Sequence, residues 1–453
     1  MSSPTRALLD EARSLGGIAA AVSSTMLAQL ALSVVETLVV SRLGAPALAG
    51  VALAAGLELL VFLLCLGVVT ALIPLVSTAL GRGDLAAARA STGAGFLVAL
   101  ATSLPAALVL LLLRAPIAAL AEPGLAAESA AAYLTGSAVG LPAWVLFVAF
   151  RSVAVAAGAS RTTVLAMTLV VPLHAALCLG LTLGGPGLLA LGAFGAGVAR
   201  ALAGGLALAF VAFALRRSPH GSCRAVLRPL SRPTGAAIHD LLRLGVPFAA
   251  RILLREGVMP AAAFLVAPHG TAAVAAHALA SRLVDLLGIT SFGLSSAATV
   301  RVARAVGLGD GAAVARAAWV SLGLALLVGL ATGLPLAFLP GTVASLLLGD
   351  DTPEDLAALA SLLPLAALLL LLEGVLSAVG GALSGFRDAR APFVIVAVGS
   401  WAVGLPLGYL LTAATARPAD GLWCGMAIGA VLTAALYLAR LLRHLSTHRT
   451  RAG

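Results

Sequence analysis

The chain has 453 residues, of which 61% are apolar and 10% charged, with a mean hydropathy of +1.10. So little polar surface cannot cover a soluble globule of this size, and the solvent is lipid. The formal charge of +10 would suggest nucleic acid in a soluble protein, but every basic residue is an arginine and most of them sit in loops, so the charge orients the chain instead.

Crossing roughly 30 Å of hydrocarbon takes about 20 apolar residues. Twelve stretches qualify, near residues 15–40, 50–78, 90–113, 129–157, 163–183, 188–215, 240–267, 272–300, 314–338, 356–382, 391–412 and 421–442. The first is too long for a cleaved signal peptide and carries polar residues, so it is read as a retained span. At about 100° per residue its Thr25, Gln29, Ser33 and Glu36 fall within roughly an 80° arc, a polar stripe on an apolar helix. Glu58 follows in the second span with no partner in its own helix. Arg151 and Arg161 near the fourth loop, with Arg387 and Arg390 near the tenth, read as cytoplasmic anchors. The histidines His174 and His277 read as packing residues, since no metal-ligand spacing joins them. Cys65, Cys178, Cys223 and Cys424 are scattered, which indicates neither a disulfide frame nor a zinc site.

One long hydrophilic stretch, Arg216 to Asp240, interrupts the apolar pattern and divides the chain into six spans on each side. The expected domains are therefore residues 1–220, a cytoplasmic linker at 221–239, and residues 240–453. With a cytoplasmic N-terminus, the tails and even-numbered loops hold 21 arginines and the opposite side only three, Arg42, Arg114 and Arg417. That asymmetry places both termini and the linker in the cytoplasm.

The two halves repeat. Gly44 to Asp84 begins in LGAPALAG and ends in GRGD; Gly270 to Asp310, 226 residues later and equally long, begins in PHGTAAVA and ends in GLGD. RSLGGIAA at the start matches LRLGVPFAA at residue 242. Because six is an even number, both halves enter from the same side and are related by an axis along the membrane normal, the architecture of a transporter.

The runs LVVSRLGAPALAGVALA, GVVTALIPLVSTALGRGD, LLRLGVPFAARILLREG, FLVAPHGTAAVAAHALA, SSAATVRVARAVGLGD and GALSGFRDARAPF carry a family resemblance. Taken in order and spacing, they resemble the multidrug and toxic compound extrusion (MATE) transporters, closest to the NorM-like branch, over about residues 10 to 443. The resemblance implies an all-α integral membrane protein with twelve transmembrane helices in two six-helix bundles forming a V. It also implies alternating access and cation-driven export of organic, often cationic, compounds.

A charge at the bilayer centre costs about 2.5–3.5 kcal/mol on insertion scales, so each intramembrane ionisable residue is a functional candidate. The acids are Glu36, Glu58, Glu256, Asp285 and Glu373; the bases are Arg200, Arg251, Arg255 and Arg282. Glu36 ends the polar stripe, and by the resemblance it stands where the family has a functional acid. Glu373 shares a face with Ser377, Gly380, Gly381 and Ser384, and the resemblance puts it at the family's cation-site acid. In the seventh span the resemblance calls for an acid ten residues after Gly245, but Arg255 stands there and Glu256 comes next, about 100° away on a regular helix. Pro260 is a candidate distortion. Arg251 and Arg255 share a face at i, i+4, so one of them is expected to serve as an internal counter-ion to Glu36 or Glu373. Asp285 and Arg282, three residues apart, are expected to neutralise each other.

The coupling candidates are thus Glu36, Glu373 and Glu256. Gln29, Ser33, Arg251, Arg255, Glu58 and Asp285 are candidates for substrate cavity or counter-ion. The expected function is multidrug or organic-cation efflux by antiport. A proton or sodium gradient drives it without a cofactor, and the proton is favoured because a fixed guanidinium repels a metal ion. The alternative is a flippase or exporter of an amphiphilic or lipid-linked metabolite, whose phosphates would call for an arginine-lined cavity. No nucleophile motif, phosphate loop or metal cluster supports an enzyme. The expected partners are a cationic or amphiphilic small molecule and the lipid bilayer, with the chain a monomer in the inner membrane.

Overall fold

The computed structural model describes residues 4–120, 124–185, 189–218, 221–227, 233–349 and 352–449. All its elements are helical: α1 (Pro4–Val40), α2 (Ala45–Thr70), α3 (Leu72–Gly81), α4 (Leu85–Leu120), α5 (Leu125–Ser137), α6 (Leu141–Ala156), α7 (Ser160–Leu183), α8 (Gly192–Arg216) and α9 (Gly221–Leu227) precede α10 (Gly235–Val266), α11 (Thr271–Leu308), α12 (Gly311–Phe338), α13 (Pro340–Leu348) and α14 (Pro353–Gly385). After them come α15 (Arg390–Val396), a π-helical segment at Ala397–Gly404, α16 (Leu405–Thr412) and α17 (Pro418–Arg449).

Among the described residues, eleven helical segments are long and apolar enough to cross a membrane. The seventh of the twelve expected spans corresponds to α10, which at 32 residues has ample length but clusters Arg251, Arg255 and Glu256 within six positions. Those three charges separate it from the other eleven. The helix continues without a break through Pro260.

The repeat seen in the sequence is also a repeat of backbone. Gly44 (φ 104°, ψ 161°) and Gly270 (φ 102°, ψ 164°) each close a 3-10 turn and open a long helix, and Gly83 and Gly309 share φ 73°. A side chain at such positive φ is strained, which is why glycine stands at matching positions. Asp84 and Asp310 then perform the same N-cap, each accepting a hydrogen bond at 2.9 Å from the amide three residues on, Ala87 and Ala313.

The chain forms two compact units, residues 24–249 and residues 1–23 with 250–453. Their boundaries fall inside α1 and α10, whereas the sequence reading placed them at a 221–239 linker. That linker begins as the helix α9, whose Cys223 and Val226 are fully buried; residues 228–232 lie outside the described set. In the unit of residues 24–249 a core of Leu32, Trp144, Phe147, Met167, Ala203, Val211 and Cys223 packs α1, α6, α7, α8 and α9 together. In the other unit Arg301 of α11 pairs through two nitrogens with both carboxylate oxygens of Glu11, and Ser23 donates to Ile289 O, so the start of α1 belongs there.

On the turn after α14, Arg387 adopts φ 62° and Asp388 accepts hydrogen bonds from Arg440 Nε (2.7 Å) and His444 Nε2 (2.9 Å) of α17. Burial works against the Asp388 charge, but the bonds and positive charges of His444 and Arg440 outweigh it and hold the carboxyl below its ordinary 3.8. A carboxyl whose folded-state pKa is depressed contributes fully above its unfolded value and loses that contribution as pH falls through the lower, folded one. Asp388→Asn is expected to cost about 1 kcal/mol at pH 7. In melting curves of the solubilised protein, the gap from wild type should close only at pH values under 3.8.

Candidate cation-coupling site

In the unit of residues 24–249, Glu36 and Glu58 come together on one guanidinium. Arg200 Nη1 donates to Glu36 Oε2 and Arg200 Nε to Glu58 Oε1, both at 3.2 Å. The carboxylates are 5% and 3% exposed, while the arginine side chain keeps 26% exposure. Helical spacing explains the convergence. Glu58 lies on the same buried stripe of α2 as Val51, Ala54 and Cys65, and Arg200 interrupts a stripe of small buried residues on α8, Ala196, Ala203 and Ala207. The Arg200 carbonyl accepts from Trp144 Nε1 at 3.1 Å, and the neighbouring Ala199 carbonyl from His174 Nδ1 at 3.4 Å, which fixes the backbone that carries the guanidinium.

Among the described residues, the second oxygen of each glutamate, Glu36 Oε1 and Glu58 Oε2, is buried without a hydrogen-bond partner. So is the hydroxyl of Tyr133, which is 0% exposed and lies beside Glu36 within interaction range. A buried polar oxygen left unpaired is costly, and two carboxylate oxygens and one hydroxyl are so placed here, which singles this cluster out as a candidate site.

In the other unit, Arg255 fills the counter-ion role expected of the seventh span. Its Nη2 meets Glu373 Oε1 at 2.9 Å and its Nε meets Glu256 Oε1 at 3.5 Å, while Ser377 Oγ donates to Glu373 Oε1 at 2.8 Å. Trp401, on the π-helical segment, donates to Leu254 O at 2.8 Å and so anchors α10 one residue before Arg255. Arg251 interacts with Tyr437, whose hydroxyl donates to Pro392 O at 3.2 Å.

The remaining candidates divide. Glu256 is exposed and meets the site through its ion pair with Arg255 and at longer range through Glu373. Asp285 and Arg282 are both exposed and form no direct ion pair, but Asp285 is attracted at longer range by Arg282 and by Arg255 and repelled by Glu256. Of the polar stripe, Thr25 is buried against Thr163 (3.4 Å) and Glu36 is buried, but Gln29 is half-buried and Ser33 exposed, and neither bonds to the Glu36 cluster. The stripe is broken because helix α1 buries the face of Leu32 and Glu36, which Ser33 leaves by about 100°. Arg151, read as a surface anchor, is 4% exposed, and its Nη1 has no partner among the described residues. His277 accepts from Trp423 Nε1 at Nδ1 (3.0 Å) and donates from Nε2 to Met259 O (3.2 Å), a fully committed neutral ring.

Of the site members, Tyr133 is not singled out in the sequence, His174 reads as a packing residue, and Arg200 is counted among the intramembrane charges without a partner. The available signal was an arginine set in a stripe of alanines and glycines, a placement that lipid makes costly unless a carboxylate faces it.

The MatE family model matches residues 21–179 and 247–410, most of the chain and both halves. The chain belongs to the MatE family. A probable multidrug resistance protein NorM of Bradyrhizobium diazoefficiens is 33% identical, covering 96% of this chain and 94% of its own. Another NorM, from Deinococcus radiodurans, is 30% identical over 100% of this chain and 99% of its own. Among solved structures, the Vibrio cholerae MATE transporter VcmN in the bent form superposes with a TM-score of 0.85 at 20% identity, covering 98% and 99% of the two chains. The MatE match spans Glu36, Glu58, Arg255, Glu256 and Glu373; Arg200 lies outside both matched segments.

Proposed function

We propose that this MatE protein exports organic cations by proton-coupled antiport, with Glu36 and Glu373 as the groups at which the external proton and the substrate compete. The observation that carries this reading is the burial of Glu36 with a free carboxylate oxygen beside a guanidinium, in a helix that crosses the bilayer. Relatives named for multidrug resistance support efflux as the direction. A proton can drive export only through unequal affinity for the inward- and outward-open states, so its site must change with the state that binds substrate. Guanidinium groups at both acid sites favour the proton over a metal ion, which they repel. Exporting a lipid-linked phosphate would require free arginines, yet Arg255 is held by Glu373 and Glu256 and Arg251 interacts with Tyr437. The excess of arginine in the tails and even-numbered loops supports a multi-pass chain with both termini cytoplasmic.

The test is ethidium uptake into everted inner-membrane vesicles. Uptake should follow an imposed pH gradient, stop when that gradient is collapsed and ignore an imposed sodium gradient. Sodium-driven uptake would overturn the proton assignment, and no uptake at all would overturn the drug-export reading. Arg255→Ala should alter the pH dependence of uptake; an unchanged profile would remove Arg255 and Glu373 from the coupling step.

A further inference from the structure

Glu36, Glu58 and Arg200 carry charges of −1, −1 and +1, so the ionised cluster has a net charge of −1. Every titratable or charged group that meets this cluster is accounted for by element: Glu36 on α1, Glu58 on α2, Tyr133 on α5, His174 and Cys178 on α7, and Arg200 on α8. His174 Nδ1 is committed to the Ala199 carbonyl, and Cys178 is paired with Thr182. The acceptors left over are Glu36 Oε1, Glu58 Oε2 and His174 Nε2, with the fully buried Tyr133 hydroxyl beside them, and of these only the two carboxylate oxygens carry negative charge. Among the described residues, the Arg255 cluster has no buried unpartnered oxygen.

We infer that Glu58, Arg200 and Tyr133 complete, with Glu36, a site of one net negative charge, in which Arg200 is the positioning residue that fixes the count so that a single proton or a single substrate cation neutralises it. The proposal rests on the antiport reading above and deepens it: exchange is one proton for one positive charge. The step balances simply. A hydronium ion gives up a proton, its O–H bond breaking as an O–H bond forms on one of the two unpartnered carboxylate oxygens and leaving water; the carboxyl O–H bond breaks and a water takes the proton back as hydronium when a cation takes its place. Without Arg200 the two acids would present two negative charges less than a side chain apart. Without either acid the remaining pair would be neutral and would have no charge to exchange.

Charge counting gives a test that separates this role from mere structural support. In Glu58→Gln the site is left at zero, and the double variant Glu58→Gln/Arg200→Gln returns it to −1. Infrared difference spectra of the full-length solubilised protein, read at the protonated-carboxyl C=O stretch, need no substrate. Acidification should protonate one buried carboxyl in wild type, none at this site in Glu58→Gln, and one again in the double variant. Ethidium binding, measured across pH on the same samples, should weaken about tenfold per pH unit on the acid side in wild type and the double variant. It should be flat in Glu58→Gln and wild-type-like in Arg200→Lys, which keeps the charge.

Persistence of the carboxyl signal and the tenfold slope in Glu58→Gln would overturn the proposal. So would a double variant that folds but regains neither, as expected if Arg200 only braces the helices. If Glu58→Gln does not fold, Arg200→Lys and the double variant still decide, because the charge count requires both to behave as wild type. Failure of wild type to bind ethidium alongside the expected infrared pattern would reject the drug-export reading and leave this assignment standing.

Discussion

Glu36→Gln is expected to leave a folded, membrane-inserted protein whose pH-gradient-driven ethidium export falls about 5- to 150-fold, the span of ordinary coupling free energies between two ligands. The substitution keeps the shape and a hydrogen-bond acceptor for Arg200 Nη1 at the 3.2 Å contact. What it removes is the ability to gain and lose a proton. Folding should survive because Arg200 retains Glu58 at 3.2 Å and because the Trp144 bond to its carbonyl is untouched. Export that runs downhill, with no gradient to couple to, should be far less affected, and comparing the two conditions in the same vesicles isolates the coupling step. Equal stimulation by the gradient in Glu36→Gln and wild type would show that the proton enters elsewhere.

A second large effect is expected outside the acid–arginine clusters, where α17 packs against α16. A Cβ placed on Gly425 would stand 2.1 Å from Gly408 N and 2.2 Å from Gly408 Cα, and one on Gly429 would stand 2.4 Å from Gly399 O. Those neighbours are backbone, so no rotamer change relieves the clash and the helices must part. Close approach of this kind is how helices associate in lipid, where burying apolar surface contributes little. Gly425→Val is therefore expected to destabilise the protein by about 3 kcal/mol or more, seen as a fall of several degrees in the melting temperature of the solubilised protein. Gly205→Ala in α8 is the matched control, since nothing lies within 4 Å of its added carbon. There the sign should reverse, because alanine favours a helix over glycine by roughly 0.5–1 kcal/mol. Equal melting temperatures for Gly425→Val and wild type would refute this account of the α16–α17 contact.

Much of the architecture could be read without coordinates because its causes are local. Run length and hydropathy define a span, so the stretches at 50–78 and 129–157 reappear, to within a residue, in the candidate membrane spans Ala45–Gly81 and Leu125–Ala156. The repeat from Gly44 to Asp84 and Gly270 to Asp310 could be read because two glycines must have positive φ and two aspartates must cap. That Arg251 or Arg255 would meet Glu36 or Glu373 followed from charges that lipid does not leave alone, but the choice of Arg255 and Glu373 needed the structure. The break in the Thr25–Glu36 stripe could not be read that way. A helical wheel gives angles within one helix, but which arc is buried depends on what the neighbouring helices present.

By itself, the sequence determined that this is a membrane protein of two similar helical halves, and which acids and arginines lie within its spans. Apolar run length, glycine conformation and the cost of burying charge act along the chain or within one helix turn. Only the tertiary structure decided who pairs with whom. Arg200 meets Glu58 and Glu36 across 142 and 164 residues of chain, whereas Asp285 and Arg282, three residues apart, interact only at longer range. Helix rotation and the packing of α2, α5 and α8 select those partners, and that information is spread over the whole unit of residues 24–249.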